Sequence, residues 1–164
     1  MRAIQGGVPA RGLEFNARAQ AVLDNHIEAT LKEVDGSEDL IAWPENSIDI
    51  DPTRNKVVST KIRNLLLEID KPLIAGAILD GKELLNASLH LNNQGEIQST
   101  YVKRYLTPFG EYIPLRNIAS FFSPHVERVT DFSAGSDLVV HRTRIARVAS
   151  VICYELLNDG IVRE

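Results

Sequence analysis

Apolar segments of two different periods alternate along the first half of this chain, and that alternation restricts the fold more than any other feature. Met1 to Gln5 is a short apolar start that breaks at Gly6, Gly7 and Pro9, as a strand running into a loop does. Leu23, Ile27, Leu31 and Val34 then recur at spacings of four, four and three, which predicts a helix over 17–34 with one buried face and Asn16 as its cap. Asp39 to Trp43 reads as a short buried strand stopped by Pro44. A second amphipathic helix is predicted over 55–70 from Val58, Ile62, Leu65, Leu66 and Ile69, and the apolar run Leu73 to Leu79 follows at once. Strand, helix, strand, helix, strand is the order that a parallel sheet with crossover helices requires, so the fold class is α/β.

The pattern then changes. Leu84 to Leu91 and Ile97 to Lys103 flank Asn92, Asn93, Gln94 and Gly95, which predicts a hairpin adding antiparallel strands to the sheet. Residues 104–136, with Pro108, Pro114 and Pro124, read as a long excursion with little helix, and loops of that length in a compact domain tend to be functional. Asp137 to Arg144 and Ile145 to Ile152 look like two more strands, the second ending in Cys153. With 44% hydrophobic and 24% charged residues and no internal repeat, residues 1–164 are expected to form one domain.

Charge and cysteine content exclude several classes. The net charge of -4 is spread over 22 acidic and 18 basic residues without a single-sign block, so neither a nucleic-acid stripe nor a polybasic membrane anchor is present. No stretch approaches the roughly 18–20 apolar residues of a membrane span, and no leader peptide is apparent. His26, His90, His125 and His141 lie in no metal-ligand spacing, and nothing calls for a metal or a cofactor. Asn86 and Ser88 fit an N-glycosylation pattern, but their place in a predicted strand argues against modification. Cys153 is the only cysteine, so it forms no internal disulfide; it is either a small buried hydrophobe or a reactive thiol.

Three residues with complementary chemistry stand just past predicted strand ends, where sheets with parallel strands gather reactive groups: Glu45, Lys103 and Cys153. A thiol with a pKa near 8.5 is only a few per cent thiolate at neutral pH, so as a nucleophile it needs a base or a nearby cation. Glu45 can supply the first and Lys103 the second. An oxyanion formed by attack of Cys153 on a carbonyl also needs donors, which the Lys103 ammonium and the Tyr154 backbone N–H can provide. Taken singly, Glu45 reads as a solvated loop carboxylate and Lys103 as a surface residue.

The segments around these residues are Trp43-Pro44-Glu45, Tyr101 to Pro114 (with Lys103, Pro108-Phe109-Gly110-Glu111-Tyr112 and Pro114), and Val151-Ile152-Cys153-Tyr154-Glu155. They closely resemble the three signature segments of the nitrilase, or carbon-nitrogen hydrolase, superfamily, and within it those of the apolipoprotein N-acyltransferases. Ile4-Gln5-Gly6 followed by a proline is similar to the start of that catalytic domain. The stretch from Lys103 to Pro114 is the most specific of these signals.

The resemblance implies a four-layer α-β-β-α sandwich in which Glu45 is the general base, Lys103 stabilises the oxyanion and Cys153 carries an acyl group as a thioester. The donor it implies is a phospholipid, and the acceptor is the N-terminal amine of a diacylglyceryl-cysteine lipoprotein. Glu111 matches a second glutamate supporting the triad, Glu155 an acidic position beside the nucleophile, and the excursion after Lys103 resembles loops that admit lipid. Such enzymes sit in the plasma membrane with this domain on the extracytoplasmic face. Family members carry transmembrane helices, which this sequence does not, and their domain continues past the point where this chain stops, eleven residues after Cys153. The expectation is therefore a truncated sandwich, soluble by itself, running through the nucleophile strand and prone to self-association through an exposed sheet surface. A soluble amidase with the same three residues, or an inactive fragment, are the competing readings.

Overall fold

The computed structural model describes residues 1–8, 14–112 and 131–163. β1 (Arg2–Ala3), β2 (Ile41–Ala42), β3 (Leu73–Asp80), β4 (Leu84–Leu91) and β5 (Ile97–Val102) form a five-stranded sheet in sequence order. β1, β2 and β3 pair in parallel, while β3, β4 and β5 pair antiparallel. β1, β2, β3 and β5 therefore all run one way, and the residues after β2 and after β5 emerge at the same margin of the sheet.

The sheet has two chemically different faces. Leu73, Ala75 and Ala77 of β3 and Leu89 and Leu91 of β4 join Ile41, Ile62, Leu65 and Leu66 in one buried core, so this face carries the helices. Each fully buried Leu or Ile among them contributes on the order of 1.5–3 kcal/mol. α2 (Lys56–Ile69) follows its prediction closely: Val58, Ile62, Leu65 and Leu66 are buried, and Asn55 Oδ1 accepts from the backbone N–H groups of Val57 and Val58 at 3.0 and 3.1 Å. The helix ends at Asp70, in the left-handed region at φ 50°.

α1 (Phe15–Glu33) departs from its prediction in two ways. Asn16 already lies inside the helix, and Glu14 at the cap position makes no side-chain cap bond. Leu31 is 42% exposed, because the buried stripe runs through Ala19, Val22, Leu23, His26 and Thr30 instead. The stripe is turned toward polar residues by Trp43, whose Nε1 donates to Thr30 Oγ1 at 2.9 Å, while Thr30 Oγ1 donates to the His26 carbonyl at 2.7 Å. Trp43 is thus a core residue.

The opposite face of the sheet is polar. Ser88 and His90 of β4 and Ser99 of β5 meet a small hairpin, β6 (Val140–Arg142) and β7 (Arg147–Ala149). Ser88 Oγ lies 2.7 Å from Ser150 Oγ, and the fully buried His141 places Nδ1 2.8 Å from Ser99 Oγ. Burial, with a smaller push from His90, lowers the His141 pKa to about 4, so the ring packs as a neutral hydrogen-bonding group.

Both hairpin strands are shorter than the sequence suggests. Thr143 N–H and Oγ1 both donate to the Ala146 carbonyl, closing a tight turn that takes residues 143–146 out of the ladder. After Ala149 the chain leaves the pairing and winds into a 3₁₀ turn, Cys153–Leu157, so Cys153 opens a turn rather than ending a strand. A last helical turn, Asp159–Arg163, follows. Pro114 and Pro124 lie outside the described residues.

Candidate active site

Glu45 reaches the site through a bulge. Trp43 N–H still pairs with the Ile74 carbonyl, and Ile48 rejoins β3 at Ala77, but residues 44–47 between them swing out of register. Gly76 makes room for them: a Cβ on it would stand 2.5 Å from the Pro44 carbonyl oxygen and 2.6 Å from Glu45 Cα. The bulge is tied down where Ser47 Oγ donates to the Gly76 carbonyl at 2.9 Å.

Lys103 follows β5 directly. Its backbone N–H donates to the Asn86 carbonyl at 2.8 Å, which sets Asn86 and Lys103 side by side on neighbouring strands. Its carbonyl accepts from Gly135 N–H at 2.9 Å, and a Cβ at Gly135 would come within 2.4 Å of the Val102 oxygen. Gly135 therefore packs directly on the end of β5, and the lysine side chain is only 1% exposed.

A buried ammonium is costly unless it is paired, and here two carboxylates converge on it. Glu111 Oε2 is 2.7 Å from Lys103 Nζ, and Glu45 Oε1 is 3.7 Å away. Lys103 Nζ also donates to Thr107 Oγ1 at 3.2 Å. Glu111 is brought back by a turn in which the Gly110 and Glu111 N–H groups both bond the Thr107 carbonyl, with Phe109 at φ 62°. Burial pushes the Glu111 carboxyl up, but hydrogen bonds from Lys103, Asn86 and the Thr107 N–H outweigh it and hold the pKa below the ordinary value. The Glu111–Lys103 ion pair is the closest contact of the buried lysine with a carboxylate.

Asn86, considered from sequence only as a modification motif, is central to this cluster. Its Nδ2 donates to Glu45 Oε1 and to Glu111 Oε1, both at 2.7 Å. The register of β4 against β5 is the signal that would have found it, and register is not written in a single strand.

Cys153 and Glu45 line a common cavity of about 360 Å³ together with Gly76, Ser88 and Ile152. Glu45 also lines a neighbouring cleft of about 530 Å³ with Lys103, Glu111 and Asn86, and so stands at the junction of the two. The Cys153 thiol is exposed. Its backbone sits at φ 50°, a left-handed conformation that a non-glycine residue adopts at a cost of roughly 1 kcal/mol or more. Such strain at an exposed thiol is the kind of feature that functional turns retain.

Glu155 holds that turn. It is fully buried, and its Oε2 accepts from Ile152 N–H at 2.8 Å. Its Oε1 accepts from Tyr101 OH at 2.7 Å, Arg104 N–H at 2.8 Å and Tyr105 N–H at 3.1 Å. The carboxylate thereby staples the Cys153 turn to the chain that follows Lys103. Tyr154 is the next residue in the turn, and its ring lines a separate cavity with Tyr105 and Leu157. Among the described residues no group of side chains could hold a metal ion, and no helix is long and apolar enough to cross a membrane.

Comparison with known proteins agrees with this architecture. Residues 3–164 match the carbon-nitrogen hydrolase family. An apolipoprotein N-acyltransferase of Mycolicibacterium smegmatis is 33% identical over 99% of this chain and 30% of its own length. One of Pseudomonas aeruginosa is 30% identical over 94% of this chain and 31% of its own. The chain thus spans about a third of the length of these curated relatives. Among solved structures, an amidase from Nesterenkonia sp. AN1, determined with acrylamide added to its active-site cysteine, superposes with a TM-score of 0.66 at 17% identity, covering 98% of this chain and 59% of that one. A carbon-nitrogen hydrolase superfamily protein of Xanthomonas campestris gives a TM-score of 0.65 at 18% identity, covering 96% of this chain and 54% of that one. The polar sheet margin with Glu45, Lys103 and Glu111 is therefore set in a nitrilase-type α/β fold, and the chain belongs to the carbon-nitrogen hydrolase family.

Proposed function

We propose that this chain carries the acyl-transfer site of an apolipoprotein N-acyltransferase. The observation that supports it most is the placement of Glu45 at the junction of two cavities, one shared with the exposed Cys153 thiol and one with the buried Lys103. The curated relatives named for this activity direct the choice of substrate.

In this reading Glu45 takes the Sγ proton of Cys153, and the thiolate adds to the ester carbonyl of a phospholipid. The Lys103 ammonium and the Tyr154 backbone N–H stabilise the oxyanion. Collapse breaks the ester C–O bond, and Glu45 passes its proton to the departing alkoxide, so the lysophospholipid leaves as an alcohol and Glu45 is again a carboxylate. Glu45 next accepts a proton from the α-amino group of a diacylglyceryl-cysteine, whose nitrogen attacks the thioester. An amide forms, and the departing Cys153 sulfur recovers the proton. One covalent intermediate makes the cycle ping-pong. Glu111 fixes Lys103 and Glu155 fixes the Cys153 turn. No metal or cofactor takes part. Both substrates are confined to lipid, which puts the reaction at a membrane surface, on the extracytoplasmic face where lipoproteins mature.

Incubation with phosphatidylethanolamine vesicles, then intact-mass analysis, tests the reading. The expected result is a hydroxylamine-sensitive mass gain of one acyl chain, lost in Cys153→Ala. Acylation by short amides and not by phospholipid overturns it in favour of an amidase, and no adduct from either overturns it in favour of an inactive fragment.

A further inference from the structure

Asn86 has an arrangement that packing alone does not explain. Both hydrogens of its side-chain amide go to carboxylates, one to Glu45 Oε1 and one to Glu111 Oε1, each at 2.7 Å. Its Oδ1 is buried and has no partner among the described residues. A buried orphan acceptor is costly, and turning the amide over to seek a donor would set that oxygen against two anionic oxygens. The two negative charges thus fix the amide's orientation, and the orphan oxygen is its consequence.

We propose that Asn86 is a positioning residue that apportions Lys103 between two glutamates, holding Glu45 off the lysine while Glu111 closes on it. The distances carry the point: Glu111 Oε2 is 2.7 Å from Lys103 Nζ, but Glu45 Oε1 stays at 3.7 Å. Asn86 Nδ2 is the nearer partner of that Glu45 oxygen. Without it, Glu45 loses the donor that holds its Oε1, and the lysine 3.7 Å away is free to draw it into a direct ion pair. Such a pair would draw the carboxylate out of the cavity it shares with Cys153 and occupy the lysine from both sides. Glu45 would then be a poorer proton acceptor, so Asn86 acts on the chemistry only through the two glutamates it holds; this consequence rests on the acyl-transfer reading above.

The test compares Asn86→Asp with Asn86→Leu in this chain. The aspartate is isosteric but replaces two donors with a third carboxylate. Crowded by two anions, its pKa rises in the folded state, so its cost is largest at high pH and fades as it takes up a proton. The protonated acid can then donate one hydrogen bond in place of the amide. Melting temperature from pH 8 to pH 5 should show Asn86→Asp below wild type by roughly 5 °C at pH 8, with the gap narrowing toward pH 5. The Asn86→Leu gap should stay nearly constant. In ¹³C-carboxyl NMR, Asn86→Leu should move the Glu111 titration upward, since one of its donors is gone. Iodoacetamide alkylation of Cys153 at pH 7 should slow by about tenfold in Asn86→Leu. A pH-independent gap for Asn86→Asp, or an unmoved Glu111 titration, overturns the proposal. If wild-type Cys153 reacts no faster than glutathione, the acyl-transfer reading falls, while the melting and NMR arms still decide the role of Asn86. If Asn86→Leu does not fold, Asn86→Asp at the two pH limits decides it.

Discussion

Two buried carboxylates, Glu111 in the segment after β5 and Glu155 in the turn after β7, are satisfied by opposite means. Glu111 meets a cation, Lys103, at 2.7 Å, with an amide and a backbone N–H in support. Glu155 is held by neutral donors instead: a phenol and three backbone N–H groups divide its two oxygens. A charge held by neutral backbone donors fixes the path of the chain, because the donors cannot move without it. A charge held by a lysine leaves that lysine's electrostatics available to a ligand. Glu155 therefore shapes the turn on which Cys153 stands, and Glu111 prepares the cation that the proposed chemistry uses.

Lys103→Met breaks the comparison at its ionic end and should have the largest effect. It removes the donor proposed for the oxyanion and leaves two carboxylates facing each other. Thioacylation of Cys153 should slow by about a hundredfold or more, roughly 3 kcal/mol in the barrier. The rate of adduct formation by mass spectrometry, taken below the melting temperature, checks it, and an unchanged rate removes Lys103 from the mechanism.

Glu155→Gln attacks the neutral end. The glutamine keeps the shape but turns an NH₂ group toward one of the backbone donors, leaving buried N–H groups unpaired at about 1–3 kcal/mol each. Stability should drop by about 2–4 kcal/mol in urea titration. Limited proteolysis should cut first at the loosened turn, residues 153–157. A variant as stable as wild type, with an intact turn, would show that Glu155 is not the staple described.

Sequence reveals the residues of both ends but not the contacts that hold them. The β–α–β alternation, the hairpin of β4 and β5 and the face of α2 follow from apolar spacing, because each is set by residues a few positions apart. Glu45, Lys103, Glu111 and Glu155 were legible as members of three familiar segments. Asn86 and Gly76 were not, since each acts across strands: Asn86 by standing beside Lys103 in register, Gly76 by lacking a Cβ where the Glu45 bulge crosses it. Leu23, Ile27 and Val34 do face the core as their spacing suggests, while Leu31 is left outside and Asn16 falls within α1, whose buried side also takes in His26 and Thr30 through their bonds with Trp43. The left-handed backbone at Cys153 has no sequence mark at all; cysteine is not a residue that favours it.

The finest division of the comparison lies within the neutral cluster itself. Tyr101 is buried, and burial first, then its bond to Glu155 and that carboxylate's charge, pushes its pKa up to about 12. Its hydroxyl is one of three donors to Glu155 Oε1, the others being backbone N–H groups of Arg104 and Tyr105. Tyr101→Phe keeps the ring in the core and removes that donor together with the hydroxyl's contact with Arg104, but leaves Glu155 Oε1 its two backbone donors. The loss should be about 1 kcal/mol, below that of Glu155→Gln, with the reactivity of Cys153 unchanged. Urea titration beside an alkylation assay separates the outcomes. A loss of about 3 kcal/mol or more would mean that the backbone donors do not hold Glu155 unaided. The staple would then depend on the Tyr101 side chain, and the contrast drawn between a backbone-held carboxylate and a side-chain-held one would fail.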